Sequence, residues 1–298
     1  MLLALDVGNT NTVLGLFRLA TPEAPAQLLA PAALVADWRI TTHRDLTEDE
    51  FALLFRDLFA LRSLSPADVT GVAVSSVVPP LDSTLRRAIE QFFHLKPLFV
   101  EPGTRTGIPI LTDNPHEVGA DRIVNCIAAH EHAKAHARRT NANPNPSPSP
   151  SPSPNPEQPA PIPAVIVVDL GTATTFDVVS PRGEFLGGAI APGLGVSADA
   201  LFSRAARLPR VDIRKPPKVI GTNTVDNLQI GLFYGYIGLV DGILARMIAE
   251  LGPNTLTIAT GGLAHLIASG SHYIAQVDEL LTLTGLRLLY ERNLHPRK

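Results

Sequence analysis

Cysteine is nearly absent from this chain of 298 residues: Cys126 stands alone. One thiol cannot close an intrachain disulfide or build a cysteine-based zinc site, and a reducing, cytoplasmic setting is the expectation. A basic surplus is missing too. Lys and Arg number 25 against 28 Asp and Glu, for a net charge of −3, so composition points to neither nucleic acid nor an anionic membrane as a partner. No GxxxxGK[ST] stretch occurs, which excludes a Walker-type nucleotide site by pattern. The first residues lack a basic leader, and Asp6 interrupts their apolar run, so they do not read as a signal peptide. At 45% hydrophobic and 18% charged, the chain has the length and composition for two globular domains, each with its own core.

What the chain does contain begins at Leu2. Residues Leu2 to Phe17 (LLALDVGNTNTVLGLF) are an apolar strand ending in Asp6, a turn at Gly8, and a second apolar strand. A plain hairpin needs only Gly8-Asn9. This one adds Asp6 and a run of amide and hydroxyl side chains, Asn9 to Thr12. Gly lets a backbone approach a ligand closely, and backbone N–H groups with Asn and Thr side chains can hold phosphate oxygens. A carboxylate beside phosphate needs a cation between them, so Asp6 implies Mg²⁺. The pattern recurs at Val165 to Val179 (VIVVDLGTATTFDVV), where Asp169, Gly171 and Thr175 stand at the spacing of Asp6, Gly8 and Thr12. Two such hairpins, one in each half, suggest a duplicated domain holding a nucleotide between facing turns. The arrangement resembles the actin, sugar-kinase and Hsp70 superfamily.

The rest of the first half reads as a Pro/Ala-rich loop (Thr21 to Pro31), a strand (Ala33 to Ile40), and a helix (Thr47 to Leu61) opened by the capping-box pair Thr47 and Glu50. A buried strand (Gly71 to Val78), a helix from Pro79 to Phe93 and a short strand (Leu98 to Val100) follow, giving βββαβαβ and a mixed sheet. A loop then leads to Gly119-Ala120-Asp121-Arg122 and a helix, Ile123 to Arg138. Asp at a helix start is an ordinary cap; the functional reading makes Asp121 an acceptor of a hydroxyl proton and Arg122 an anion binder. His132 and His136 have a ligand spacing, but read as a polar face. Asn141 to Pro163 is a Pro/Ser/Asn insert expected to be disordered. The division is residues 1–118 and 119–298. In the second half, GGAIAPGLG (Gly187 to Gly195) is a backbone-rich passage into a helix. The long helix Val225 to Leu251 carries Gly231, Gly235, Gly238 and Gly242 on one face, for packing on the sheet or on a second subunit. Asp241 and Arg246 argue against a membrane span. Thr260-Gly261-Gly262 after a strand (Thr255 to Ala259) would suit an adenosine, and Val277 to Arg292 reads as a terminal helix.

Together, DVGNTNT (Asp6 to Thr12), NPHEVGADR (Asn114 to Arg122), DLGTATTFD (Asp169 to Asp177), GGAIAPGL (Gly187 to Leu194), IGTNTVDNLQIG (Ile220 to Gly231) and ATGGLA (Ala259 to Ala264) resemble the type III pantothenate kinase family, in order and over nearly the whole chain. The Pro/Ser insert departs from it. The resemblance implies duplicated actin/sugar-kinase-like (ribonuclease H-like) α/β domains, with mixed sheets flanked by helices and a nucleotide cleft between them. It implies ATP-dependent phosphorylation of pantothenate, the first step of coenzyme A synthesis, by a cytoplasmic homodimer. By motif position, Asp6, Val7, Gly8, Asn9, Thr10, Asn11, Thr12 and Val13 would bind ATP, with Mg²⁺ at Asp6, and Thr172 would add an ATP contact. Asp121 would be the catalytic base. Gly119, Ala120, Asp121, Arg122 and Thr224 would bind pantothenate, and Asp169 would hold K⁺ or NH₄⁺. Two alternatives on the same fold are a non-catalytic nucleotide-dependent regulator and a kinase for another hydroxy acid.

Overall fold

The computed structural model describes residues 1–19, 34–142, 160–205 and 207–294. The Pro/Ala-rich stretch at Thr21 to Pro31 and most of the Pro/Ser insert lie outside the described residues. The described chain groups into two compact units. One comprises residues 1–109, 113–128 and 280–298; the other comprises 110–112 and 129–279. The units interleave along the chain.

The first unit is built on five strands: β1 (Leu2–Val7), β2 (Asn11–Phe17), β3 (Leu34–Thr41), β4 (Gly71–Ser76) and β5 (Leu98–Phe99). Their order is β3-β2-β1-β4-β5; β1 runs antiparallel to β2 and parallel to β4. Between β3 and β4 lies α1 (Glu48–Leu61), whose capping box forms as the sequence indicates: Thr47 Oγ1 accepts from the Glu50 amide, and the Glu50 carboxylate accepts from the Thr47 amide. Helix α2 (Pro79–Phe93) starts on two prolines, where a missing N–H costs nothing. Leu3, Leu5 and Val7 of β1 meet Val72 and Val74 of β4 and Phe51, Phe55, Phe59, Leu85 and Ile89 of the two helices in one core. The sheet's other face is covered by α7 (Leu281–Leu294), which packs across β1, β2 and β4. Contact there is close: Gly15 leaves room for Leu283, Gly71 for Tyr290, and Gly285 for the backbone of Val124 on α3 (Ala120–Ala142).

The second unit repeats the plan. Its strands are β6 (Val165–Leu170), β7 (Ala173–Val179), β8 (Phe185–Pro192), β9 (Leu256–Thr260) and β10 (Gln276–Val277), in the order β10-β9-β6-β7-β8. Read from the third strand, β8-β7-β6-β9-β10 matches β3-β2-β1-β4-β5 pair for pair, in the same directions. Both third strands pair with a bulge, at Leu16/Phe17 and at Val178/Val179. The duplication inferred from two turns therefore extends to whole sheets. Among the described residues α4 (Leu194–Arg204), α5 (Thr224–Leu251) and α6 (Ala264–Ala268) accompany this sheet, together with the part of α3 from Ala129 on. The segment 110–112 attaches to β8, with Ile110 bridging Phe185 and the Leu111 amide donating to its carbonyl.

Three expectations shift. The helix beginning at Ile123 starts at Ala120, so Asp121 lies in its first turn. Residues Gln276–Val277 are an edge strand, and the final helix begins later, at Leu281. The glycine face of α5 does not pack on the sheet: side chains added at Gly231, Gly235 or Gly238 would meet nothing within 4 Å among the described residues. Phe233, Tyr236, Ile237, Val240 and Leu244 make the core contact from the opposite side. By length and composition α5 is also apolar enough to cross a membrane, as the core helix of a globular unit can be.

Candidate active site

In the first unit, Asp6 is the next-to-last residue of β1. The turn after it is closed by the Gly8 amide donating to Asn11 O at 3.0 Å. Residues that the sequence reading passed over brace this turn from β3's end. The Thr42 amide donates to Thr10 O at 2.9 Å, and the Thr42 hydroxyl donates to Gly8 O at 2.7 Å while lying 2.9 Å from Thr12 Oγ1. Arg44 donates to Asn9 Oδ1 at 2.9 Å, which puts a guanidinium against the tip of the turn.

Asp121 lies by the same end of the sheet. The Val77 amide donates to Val7 O at 3.0 Å, and a Cβ on Gly119 would sit 3.8 Å from Val77 Cγ1. That same Cβ would sit 2.6 Å from Asp121 Oδ1, so any side chain at position 119 would push the carboxylate from its place. Burial pushes the Asp121 carboxyl above its ordinary range; the Arg122 amide, donating to Oδ1 at 2.8 Å, and the Arg122 charge pull it back. A carboxylate raised by burial binds a proton more readily, which suits a general base.

In the second unit, Asp169 stands next to last in β6, as Asp6 does in β1. Its turn is one residue tighter, the Gly171 amide donating to Ala173 O at 3.1 Å. The register follows. Val7 pairs with Thr12, whereas Leu170 pairs with Thr174. Thr174, not Thr175, is therefore the counterpart of Thr12, and counting residues across the turn is off by the one it lacks. Thr174 is fully buried and hydrogen-bonded to the Tyr236 hydroxyl, which also donates to Pro192 O.

Two glycines bring other segments against this turn. Gly193 donates from its amide to Thr172 O at 3.1 Å, and its Cα faces the carbonyls of Gly171 and Thr172. Gly261 has φ +93°, and a Cβ there would lie 2.8 Å from both Asp169 Oδ1 and the Leu170 amide nitrogen. Position 261 thus requires glycine for its conformation and for its space. The GGAIAPGL and ATGGLA motifs accordingly converge on the Asp169 turn. Thr224 is the first residue of α5, after the cap Asn223, whose side chain accepts from the Asp226 amide at 2.9 Å.

The model of one family, type III pantothenate kinase, matches residues 2–138 and 159–246. The chain belongs to that family. Among curated type III pantothenate kinases, one from Koribacter versatilis is 54% identical over 98% of this chain and 96% of its own. Another, from Myxococcus xanthus, is 51% identical over 98% of this chain and 99% of its own. A solved Campylobacter jejuni protein of the Baf family shares the fold, at a TM-score of 0.53 and 18% identity, over 98% of both chains. The pantothenate kinase family model spans both Asp-bearing turns and the 119–122 segment, and it ends inside α5.

Among the described residues no three His, Cys, Asp or Glu side chains come together to cage a metal. His132 is committed to Asp278, 2.8 Å away. A single carboxylate such as Asp6 at the end of β1 would need phosphate oxygens to complete a Mg²⁺ shell.

Proposed function

We propose that this chain phosphorylates pantothenate at the expense of ATP, the first step of coenzyme A synthesis. Full-length kinship with the type III pantothenate kinases supports the reading, and the partly buried Asp121 in the first turn of α3 carries its chemistry. In it, residues Asp6 to Val13 and Thr172 contact ATP, and the backbone amides and Thr hydroxyls of the first turn hold phosphate oxygens. Mg²⁺, when bound at Asp6 with the triphosphate, neutralises charge on the transferring group. Gly119, Ala120, Arg122 and Thr224 contact pantothenate, with Arg122 on its carboxylate. Asp121 accepts the proton of the attacking hydroxyl, worth about 10²–10⁴-fold in rate. Asp169 holds a monovalent cation, K⁺ or NH₄⁺.

The protein works as a homodimer in this reading. The open glycine face of α5 supports it, because small residues let another backbone approach closely. A cytoplasmic location and the absence of nucleic-acid and membrane partners belong to the same reading.

Purified protein given ATP, Mg²⁺ and K⁺ should convert pantothenate. Asp121→Asn should lose at least about 10²-fold in kcat while still binding ATP. Turnover of another hydroxy acid but not of pantothenate would refute the substrate; an unimpaired Asp121→Asn would refute the base.

A further inference from the structure

Strand β4 ends in two serines with opposite fates. Ser76 Oγ donates to Asp82 Oδ1 at 2.5 Å and accepts from the Val78 amide at 3.2 Å. Ser75 is completely buried, and among the described residues its hydroxyl has no hydrogen-bond partner. Leaving a buried hydroxyl without a hydrogen bond is costly, and an alanine of nearly the same shape would avoid that cost.

Register says where the hydroxyl is. Ser75 pairs with Asp6 across the parallel β1–β4 ladder, and paired residues project from the same face of a sheet. The pairs below them on that face are Leu2 with Gly71 and Ala4 with Ala73. Asp6 and Ser75 are thus the one polar pair on that face of the two strands. They stand at the carboxyl ends of the strands, where open α/β sheets receive ligands. Val77 ties the position down, through its amide to Val7 O and its side chain beside Gly119.

We infer that Ser75 is a positioning residue for the Asp6 end of the nucleotide site, its hydroxyl making its hydrogen bond when the cation and triphosphate are bound. The inference rests on the proposed role of Asp6. A hydroxyl can both donate to a carboxylate and accept from a cation-held water. Mg²⁺ keeps several of its waters in such sites, and carboxylates that face a metal are themselves hydrogen-bonded by neighbours whose loss costs about 10–100-fold in metal affinity or activity.

Ser75→Ala decides it, with stability and binding read separately. The ligand-free variant should melt at or above the parent's temperature, since no hydrogen bond is lost. Calorimetry should show MgATP binding weakened about 10-fold with metal-free ATP binding unchanged, and the Mg²⁺ concentration for half-maximal binding raised. A melting temperature clearly below the parent's, or failure to fold, would overturn the inference, because the hydroxyl would then be serving the ligand-free fold. MgATP binding within twofold of the parent would also overturn it. Asp6→Asn separates the underlying reading. If that variant loses Mg²⁺-dependent binding while Ser75→Ala keeps it, only the inference fails. If Asp6→Asn binds MgATP like the parent, the role of Asp6 fails and the inference falls with it.

Discussion

Gly193→Ala isolates a steric effect from a conformational one. Gly193 has φ −66° and ψ 156°, a backbone conformation open to any L-residue, so alanine meets no dihedral penalty there. The added methyl would instead stand 2.5 Å from Gly171 O and nearer still to Thr172 O. Ordinary contact begins near 3.4 Å, so the backbone of the Asp169 turn must recede by about 1 Å or more, the Thr172 carbonyl furthest. Both opposing atoms are carbonyl oxygens of a tight turn and cannot rotate aside as a side chain would. Overpacking of this kind costs about 1–3 kcal/mol, and a displacement near 1 Å in a positioned site can cost about 10²-fold in rate. We expect Gly193→Ala to lower kcat/KM for ATP by about that factor and to reduce the melting temperature by several degrees. Gly195→Ala, two residues on, is the matched control. Its methyl meets nothing within 4 Å, and alanine should favour α4 by up to about 1 kcal/mol. Steady-state kinetics with thermal melts on both variants provide the assay. Parent-like kinetics for Gly193→Ala would refute the claim that the 193 passage sets the turn's position, as would equal losses in the two variants.

Other outcomes follow from the same geometry. Burial raises the Asp121 carboxyl, so the native state binds that proton more tightly than the unfolded chain, and the group weakens the fold as pH rises from its ordinary value of 3.8 through the raised one. Ligand-free Asp121→Asn should therefore melt higher than the parent at neutral pH, with the gain vanishing below pH 3.8; an equal gain at every pH in a melt series would refute the burial argument. Asp169→Asn should abolish stimulation by K⁺ over Na⁺ in the kinase assay, and retained stimulation would move that cation elsewhere. Gly235→Arg should yield folded monomer by sedimentation, because the helix gains a better former and only the open face is blocked; a persistent dimer would place the subunit contact off this face.

Local signals made much of this fold readable. Thr47 and Glu50, two prolines at 79 and 80, and the paired Asp-Gly turns each act within a few residues, and each element formed where those residues put it. Longer-range features did not show. Thr175 looked like the partner of Thr12 because spacing in sequence is blind to a turn that closes one residue sooner; only register singles out Thr174. Ser75 has no signature in the strand-like run GVAVSSVV, since nothing local tells a bonded serine from an orphaned one. Thr42 and Arg44 brace the first turn from a strand reached through some thirty intervening residues. The two-residue β10 is too short to carry a period. The glycines of α5 were legible as a small face, but not as one the unit leaves uncovered.

The last helix has a consequence for biosynthesis. Leu283, Gly285 and Tyr290 fill places beside Gly15, Val124 and Gly71, so the first unit's sheet is roofed by a helix that leaves the ribosome only after the whole second unit. Emerging from the ribosome, the amino-terminal strands must wait with one apolar side bare, while the segments of the later sheet can already close on one another. The first unit would then mature after the second, reversing the usual order of two consecutive domains, and a chaperone's longer engagement would fall on the first.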